Sequence, residues 1–162
     1  MSFSFQVTGL DEILAKMDQL PKQAARVAAL ALYEGAGVMA DSVGQAVQGI
    51  DTKKFKYPAP PGKMRMPSPE EKAVLMNARH GVAKFRNNGT EINTSVGWRN
   101  AGYGTINGKT VPVPKIAAAI ESGTSFMKKQ PFFRKSVNRA KGPAAAAVES
   151  GIKSREDMLS ID

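Results

Sequence analysis

Residues 22–50 read KQAARVAALALYEGAGVMADSVGQAVQGI, and this stretch decides the fold. Leu30, Tyr33, Ala36, Ala40, Val43, Val47 and Ile50 recur at steps of three and four, which puts them on one face of a single long helix. Leu32, Met39 and Ala46 mark a second apolar face. Only Lys22, Arg26, Glu34 and Asp41 are charged, so the helix needs cover on more than one side. Gly35, Gly37 and Gly44, set among alanines, would let another backbone approach closely. The cover could come from the chain's own sheet or from a neighbouring subunit.

Upstream, Phe3, Phe5 and Val7 alternate with polar residues, the pattern of a half-buried strand. Leu10 to Leu20 has helical spacing, and Pro21 stops that helix or starts the next. Downstream, residues 51–67 form an extended, basic, proline-rich arm carrying Lys53, Lys54, Phe55, Lys56 and Tyr57. Ser68-Pro69-Glu70-Glu71 then has the capping box and first-turn proline of a helix start, and the helix should run to about Arg79 and end at Gly81. Val82 to Trp98 reads as β structure with a turn at Asn88-Gly89, and Ile92, Thr94, Val96 and Trp98 share one face. A second turn, Asn107-Gly108, sits in a hairpin over 99–114 that Pro112 and Pro114 confine to a sheet edge or an arm. Lys115 to Glu121 fits a short helix or a strand equally well. Pro131 opens a helix carrying Phe132, Phe133 and Val137, Gly142-Pro143 interrupts it, and Ala144 to Leu159 forms a last helix. The expected fold is α+β: a small, mainly antiparallel sheet packed by the long helix, with additional C-terminal helices.

A length of 162 residues suits one domain with one core. The absence of cysteine excludes disulfides, thiolate catalysis and thiolate metal sites. The amino terminus lacks the pattern of a signal peptide, and no stretch approaches the ~18 consecutive apolar residues of a membrane span. A soluble protein with no membrane partner is expected. Its net charge of +9 is concentrated in two places. Residues 51–89 hold nine basic and three acidic residues, and residues 126–141 hold six basic and none acidic. Such a balance favours polyanions or acidic protein neighbours. It also fits an ordinary solvated surface, since aromatics are not interleaved with the charges as stacking platforms require.

Catalysis needs positioned acids, bases or nucleophiles. The one histidine, His80, reads as a polar residue near a helix end. Glu70 and Glu71 are helix neighbours that cannot face each other as a catalytic pair. Gly104-Thr105-Ile106-Asn107-Gly108-Lys109-Thr110 resembles a phosphate loop but has three residues between its glycines instead of four. Such a loop also requires a helix directly after Lys-Thr, which Val111-Pro112-Val113-Pro114 is not expected to supply. No enzyme activity, cofactor or metal site is expected.

One string is more specific. Ile120-Glu121-Ser122-Gly123-Thr124-Ser125, then Met127 and Gln130-Pro131-Phe132-Phe133-Arg134, resembles the minor tail component, or tail completion (neck), family of long-tailed bacteriophages, named after the tenth gene product of a lambdoid phage. Ser122 stands where that family has an aromatic or apolar residue. Val7 to Leu14 followed by the Ala-rich helix, and Val96-Gly97-Trp98, look like the family's opening and central strand, leaving 51–67 and 99–114 as insertions. The resemblance implies a single neck or tail-completion domain over 1–162, assembled in the bacterial cytoplasm and located in the virion. It implies a self-assembled ring, a hexamer or alternatively a dodecamer, that completes the tail and supports head–tail joining. Its partners would be other copies, adjacent neck and tail-tube proteins, and genomic DNA in passing. The alternative is a basic nucleic-acid-binding protein. Structural or interface roles fall to Glu121, Gly123, Thr124, Ser125, Gln130, Pro131, Phe132, Phe133 and Arg134, together with the arm residues. Gly123 would adopt a backbone conformation closed to other residues, and Thr124 and Ser125 would bond back to the local backbone. Adjacent helical positions point about 100° apart, so one of Phe132 and Phe133 should be buried and the other turned toward an interface.

Overall fold

The computed structural model describes residues 3–5, 22–54, 62–78, 81–82, 86–87, 92–98 and 101–155. The expectations for the 10–20 helix, the Asn88-Gly89 turn and His80 lie outside them, as do Phe55, Lys56 and Tyr57. The architecture is α+β, as the sequence pattern predicts. The described strands are β1 (Phe3–Phe5), β2 (Gly81–Val82), β3 (Arg86–Asn87), β4 (Ile92–Gly97), β5 (Tyr103–Ile106) and β6 (Lys109–Pro112). The described helices are α1 (Lys22–Gln48), α2 (Pro69–Asn77), α3 (Val113–Ser122) and α4 (Phe132–Lys153). They belong to two compact units, and both α1 and α4 contribute residues to each.

One unit comprises Phe3–Ala40, Gly81–Val96 and Ala140–Asp162. Strand β4 pairs antiparallel with β1, Phe3 opposite Val96, and with β3, Arg86 opposite Asn93. Thr94 and Val96 are buried, as period-two alternation predicts. The helical part is built on close approach. A Cβ on Gly35 would collide with the Val148 side chain and the Ala144 carbonyl, so only glycine lets α1 and α4 lie this near. Arg155 closes the contact with an ion pair to Glu34 at 2.6 Å.

The other unit is chiefly Asp41–His80 with Gly97–Arg139. Helix α2 starts with the predicted capping box: the Glu71 amide donates to the Ser68 hydroxyl and the Glu71 carboxylate accepts from the Ser68 amide. It ends at Asn77 rather than Arg79, because Ala78 is already extended, and Gly81 belongs to β2. Strands β5 and β6 form the expected hairpin, Ile106 opposite Lys109, with Asn107 at φ 49° and Gly108 at φ 70° in the turn. The Asn107 amide donates to Glu70 at 3.2 Å, and Gly104 meets Val74 of α2 where no Cβ would fit. The segment after the hairpin is a helix, which settles the alternative left open at 115–121. Pro114 does not prevent it: proline in a first turn removes a donor that has no intrahelical partner there.

Two expectations about helices need correction. The buried stripe of α1 runs through Ala28, Ala31, Leu32, Ala36, Met39, Val43 and Val47, with Leu30 and Tyr33 left exposed at 40% and 37%. A three-residue step lags a full turn by about 60°, so a stripe begun at Leu30 with two such steps drifts off the true face. Gly142-Pro143 does not interrupt the last helix either; α4 runs through both. Both residues are exposed, while Ala140, Ala144 and Val148 are buried on the opposite side and hold the helix across the lost hydrogen bond.

Candidate functional site: a buried corner at the start of α4

Helix α3 carries the first residues of the Ile120–Arg134 string and ends at Ser122. Gly123 caps it at φ 76° and ψ 174°, backbone that is essentially restricted to glycine, with its amide on the Ala119 carbonyl. The chain then doubles back on itself. Thr124 Oγ1 accepts from the Met127 amide at 3.0 Å and the Phe126 amide at 3.4 Å, while Ser125 is exposed. The Gln130 amide donates to the Ile120 carbonyl at 2.7 Å and closes the turn.

Helix α4 starts against this corner. It has no acidic residue in its first turn and two basic ones, Arg134 and Lys135, which oppose the helix dipole. Glu121 supplies the missing anion from α3. Its carboxylate accepts from the Phe133 amide at 2.8 Å and the Arg134 amide at 3.1 Å, and the residue is 4% exposed. A buried carboxylate thus satisfies two donors that a helix terminus leaves open.

Phe132 and Phe133 are both buried, at 7% and 6%, which corrects the expectation that one would face an interface. Trp98 is the reason. Its ring centroid is 5.8 Å from Phe132 in an edge-on arrangement and 6.0 Å from Phe133 in a tilted one, so one large indole covers two diverging side chains. Pro131 is half-buried and Arg134 is exposed.

The base of the 51–67 segment joins the same corner. Gln130 holds the Asp51 backbone from both sides, accepting its amide at 2.9 Å and donating to its carbonyl at 2.8 Å. Arg65 and Met127 form a parallel bridge, with Arg65 N to Phe126 O at 2.8 Å and Lys128 N to Arg65 O at 2.9 Å. The Arg65 guanidinium makes a two-pronged pair with Glu71 at 2.6 and 2.7 Å, and both side chains are 8% exposed. Lys72 places its ammonium on the Gln48 and Ile50 carbonyls at the end of α1. Residues 62–67 are thus anchored structure, whereas Lys53 and Lys54 are exposed. Sequence reading missed the Arg65–Glu71 pair and the Gln130–Asp51 clasp. Glu71 announced itself only as a capping residue, and nothing near Arg65 marked it as buried.

Lys109 and Thr110 lie in β6, opposite Ile106 and Thr105, and α3 begins only at Val113, so the Lys-Thr pair does not itself sit at a helix amino terminus as a phosphate loop requires. Among the described residues, no group of three or more His, Asp or Glu could hold a metal ion, and no helix is long and apolar enough to cross a membrane. No protein-family model matches the chain, and no curated protein or solved structure does either.

Proposed function

We propose that this chain is a non-enzymatic structural protein of a long-tailed phage virion, forming a ring at the neck or head-proximal tail end that completes the tail and supports head–tail joining. The observation that carries the reading is the corner at the start of α4. Glu121, Gly123, Thr124, Gln130, Phe132 and Phe133 are all engaged in holding backbone or filling core. A motif spent on fixing two helices and an arm base is what an assembly protein needs: a rigid element that presents a surface reproducibly to its neighbours. Removing the gene from the phage that carries it should leave filled heads and separate tails that do not join. Normal yields of infectious, tailed particles would contradict the proposal.

A second reading rests on its own observation. Lys128, Lys129, Arg134, Lys135 and Arg139 are all exposed in one unit, and no acidic residue lies between Glu121 and Glu149. Duplex DNA would find a basic surface there. Phosphate-driven affinity falls steeply with salt, so binding that survives moderate salt would favour a nucleic-acid role over an assembly role.

A further inference from the structure

Four large apolar side chains of the unit formed chiefly by Asp41–His80 and Gly97–Arg139 are exposed: Met64, Met76, Tyr103 and Phe126. Two of them are neighbours. Met64 and Phe126 precede the bridged pair Arg65 and Met127, so they occupy adjacent positions on the two paired segments. Side chains alternate along an extended segment. Met127 is buried at 3% and Arg65 turns in to Glu71, which leaves Met64, 67% exposed, and Phe126, 55% exposed, on the outward side.

This outward pair is held stiffly. Thr124 receives the Phe126 amide, Arg65 bonds to both Phe126 and Lys128, and the Arg65–Glu71 pair fixes the other segment. A preformed apolar pair loses little freedom when it is covered. Its rim is basic: Lys63, Lys128 and Lys129 are exposed, and no acidic residue occurs from 52 to 69 or from 122 to 148. The surface therefore suits an extended segment that carries both apolar and acidic side chains.

We propose that residues 156–162 of a second copy, Glu-Asp-Met-Leu-Ser-Ile-Asp, dock on the Met64–Phe126 face. The segment has three acidic and three apolar residues and no basic one in seven positions. Residues 10–20 are a poorer complement, with three acids offset by Lys16 in eleven positions. A donor segment and an acceptor face on the same chain make a head-to-tail contact, which closes into a ring when the rotation allows. This inference rests on the ring reading above and names the contact that would build it.

The test uses full-length variants whose folding is checked by thermal unfolding. Phe126→Ser removes the acceptor and Asp157→Lys with Leu159→Ser removes the donor; Lys128→Glu is a second acceptor variant should Phe126→Ser fail to fold. Each variant should self-associate at least tenfold more weakly than the parent chain by light scattering. Mixed together, the donor-defective and acceptor-defective chains should form 1:1 complexes, because each retains the half the other lacks. If the donor variant assembles like the parent chain, or the mixture forms no complex, the docking is overturned while a ring built on another contact stands. A parent chain that neither self-associates nor binds tails would instead sink the ring reading itself.

Discussion

Glu121 shows how much of this molecule turns on single side chains. Its carboxylate accepts the Phe133 and Arg134 amides at the start of a helix whose own first turn is basic. Glu121→Ala should leave two buried or half-buried donors open and lower stability by roughly 1–3 kcal/mol, measured by denaturant unfolding. Phe132→Ala and Phe133→Ala should each cost about 3–5 kcal/mol, because both rings pack on Trp98. A variant of either that melts like the parent chain would contradict this packing. Gly123→Ala should cost about 1–3 kcal/mol, since φ 76° with ψ 174° is hostile to a side chain and a Cβ there would press on the Lys129 amide and the Met127 carbonyl. The Ile120–Arg134 string was legible in the sequence as far as Gly123 and Thr124. Burial of both phenylalanines was not, because the 100° rule for neighbours assumes a flat core face, and Trp98 wraps two sides of the helix start.

At the scale of elements, the periodic signals were the readable ones. The capping box at Ser68, the hairpin at Asn107-Gly108 and the extent of α1 follow from local chemistry alone. The phase of the α1 stripe did not, because alanine is apolar enough to fit either face. Met39→Ala should therefore cost about 2–5 kcal/mol, whereas Leu30→Ala should cost less than about 1 kcal/mol. Equal effects would mean that the stripe is misplaced. Prolines misled in the opposite sense. Pro114 sits in a first turn, where it is tolerated, and Pro143 sits inside α4, where packing of Ala140, Ala144 and Val148 overrides local preference. A proline inside a helix costs about 3 kcal/mol relative to alanine, so Pro143→Ala should raise the melting temperature by several degrees. The arm was read from composition, and composition cannot reveal that Arg65 is paired and buried. Glu71→Ala should remove the two-pronged carboxylate partner of that buried guanidinium and destabilise by about 3–5 kcal/mol. Replacing residues 55–61 by a Gly-Ser linker keeps the anchors at Asp51, Arg65 and Gln130, so melting should hardly change while phage yield falls.

At the scale of the whole molecule, the described residues of one unit expose an apolar pair, Met64 and Phe126, beside Lys63, Lys128 and Lys129, and a separate basic group of Arg134, Lys135 and Arg139. As exposed side chains, neither set contributes much to holding the fold together. The proposed ring gives the first a second copy to bind and leaves the second for an acidic neighbour or passing DNA. The most direct test is light scattering and electron microscopy of the purified chain, alone and mixed with tail tubes from the phage that encodes it. The proposed ring predicts closed rings in solution, or chains captured as a cap at the head-proximal end of the tube. A clean monomer that binds neither tails nor heads at any concentration tested would contradict it.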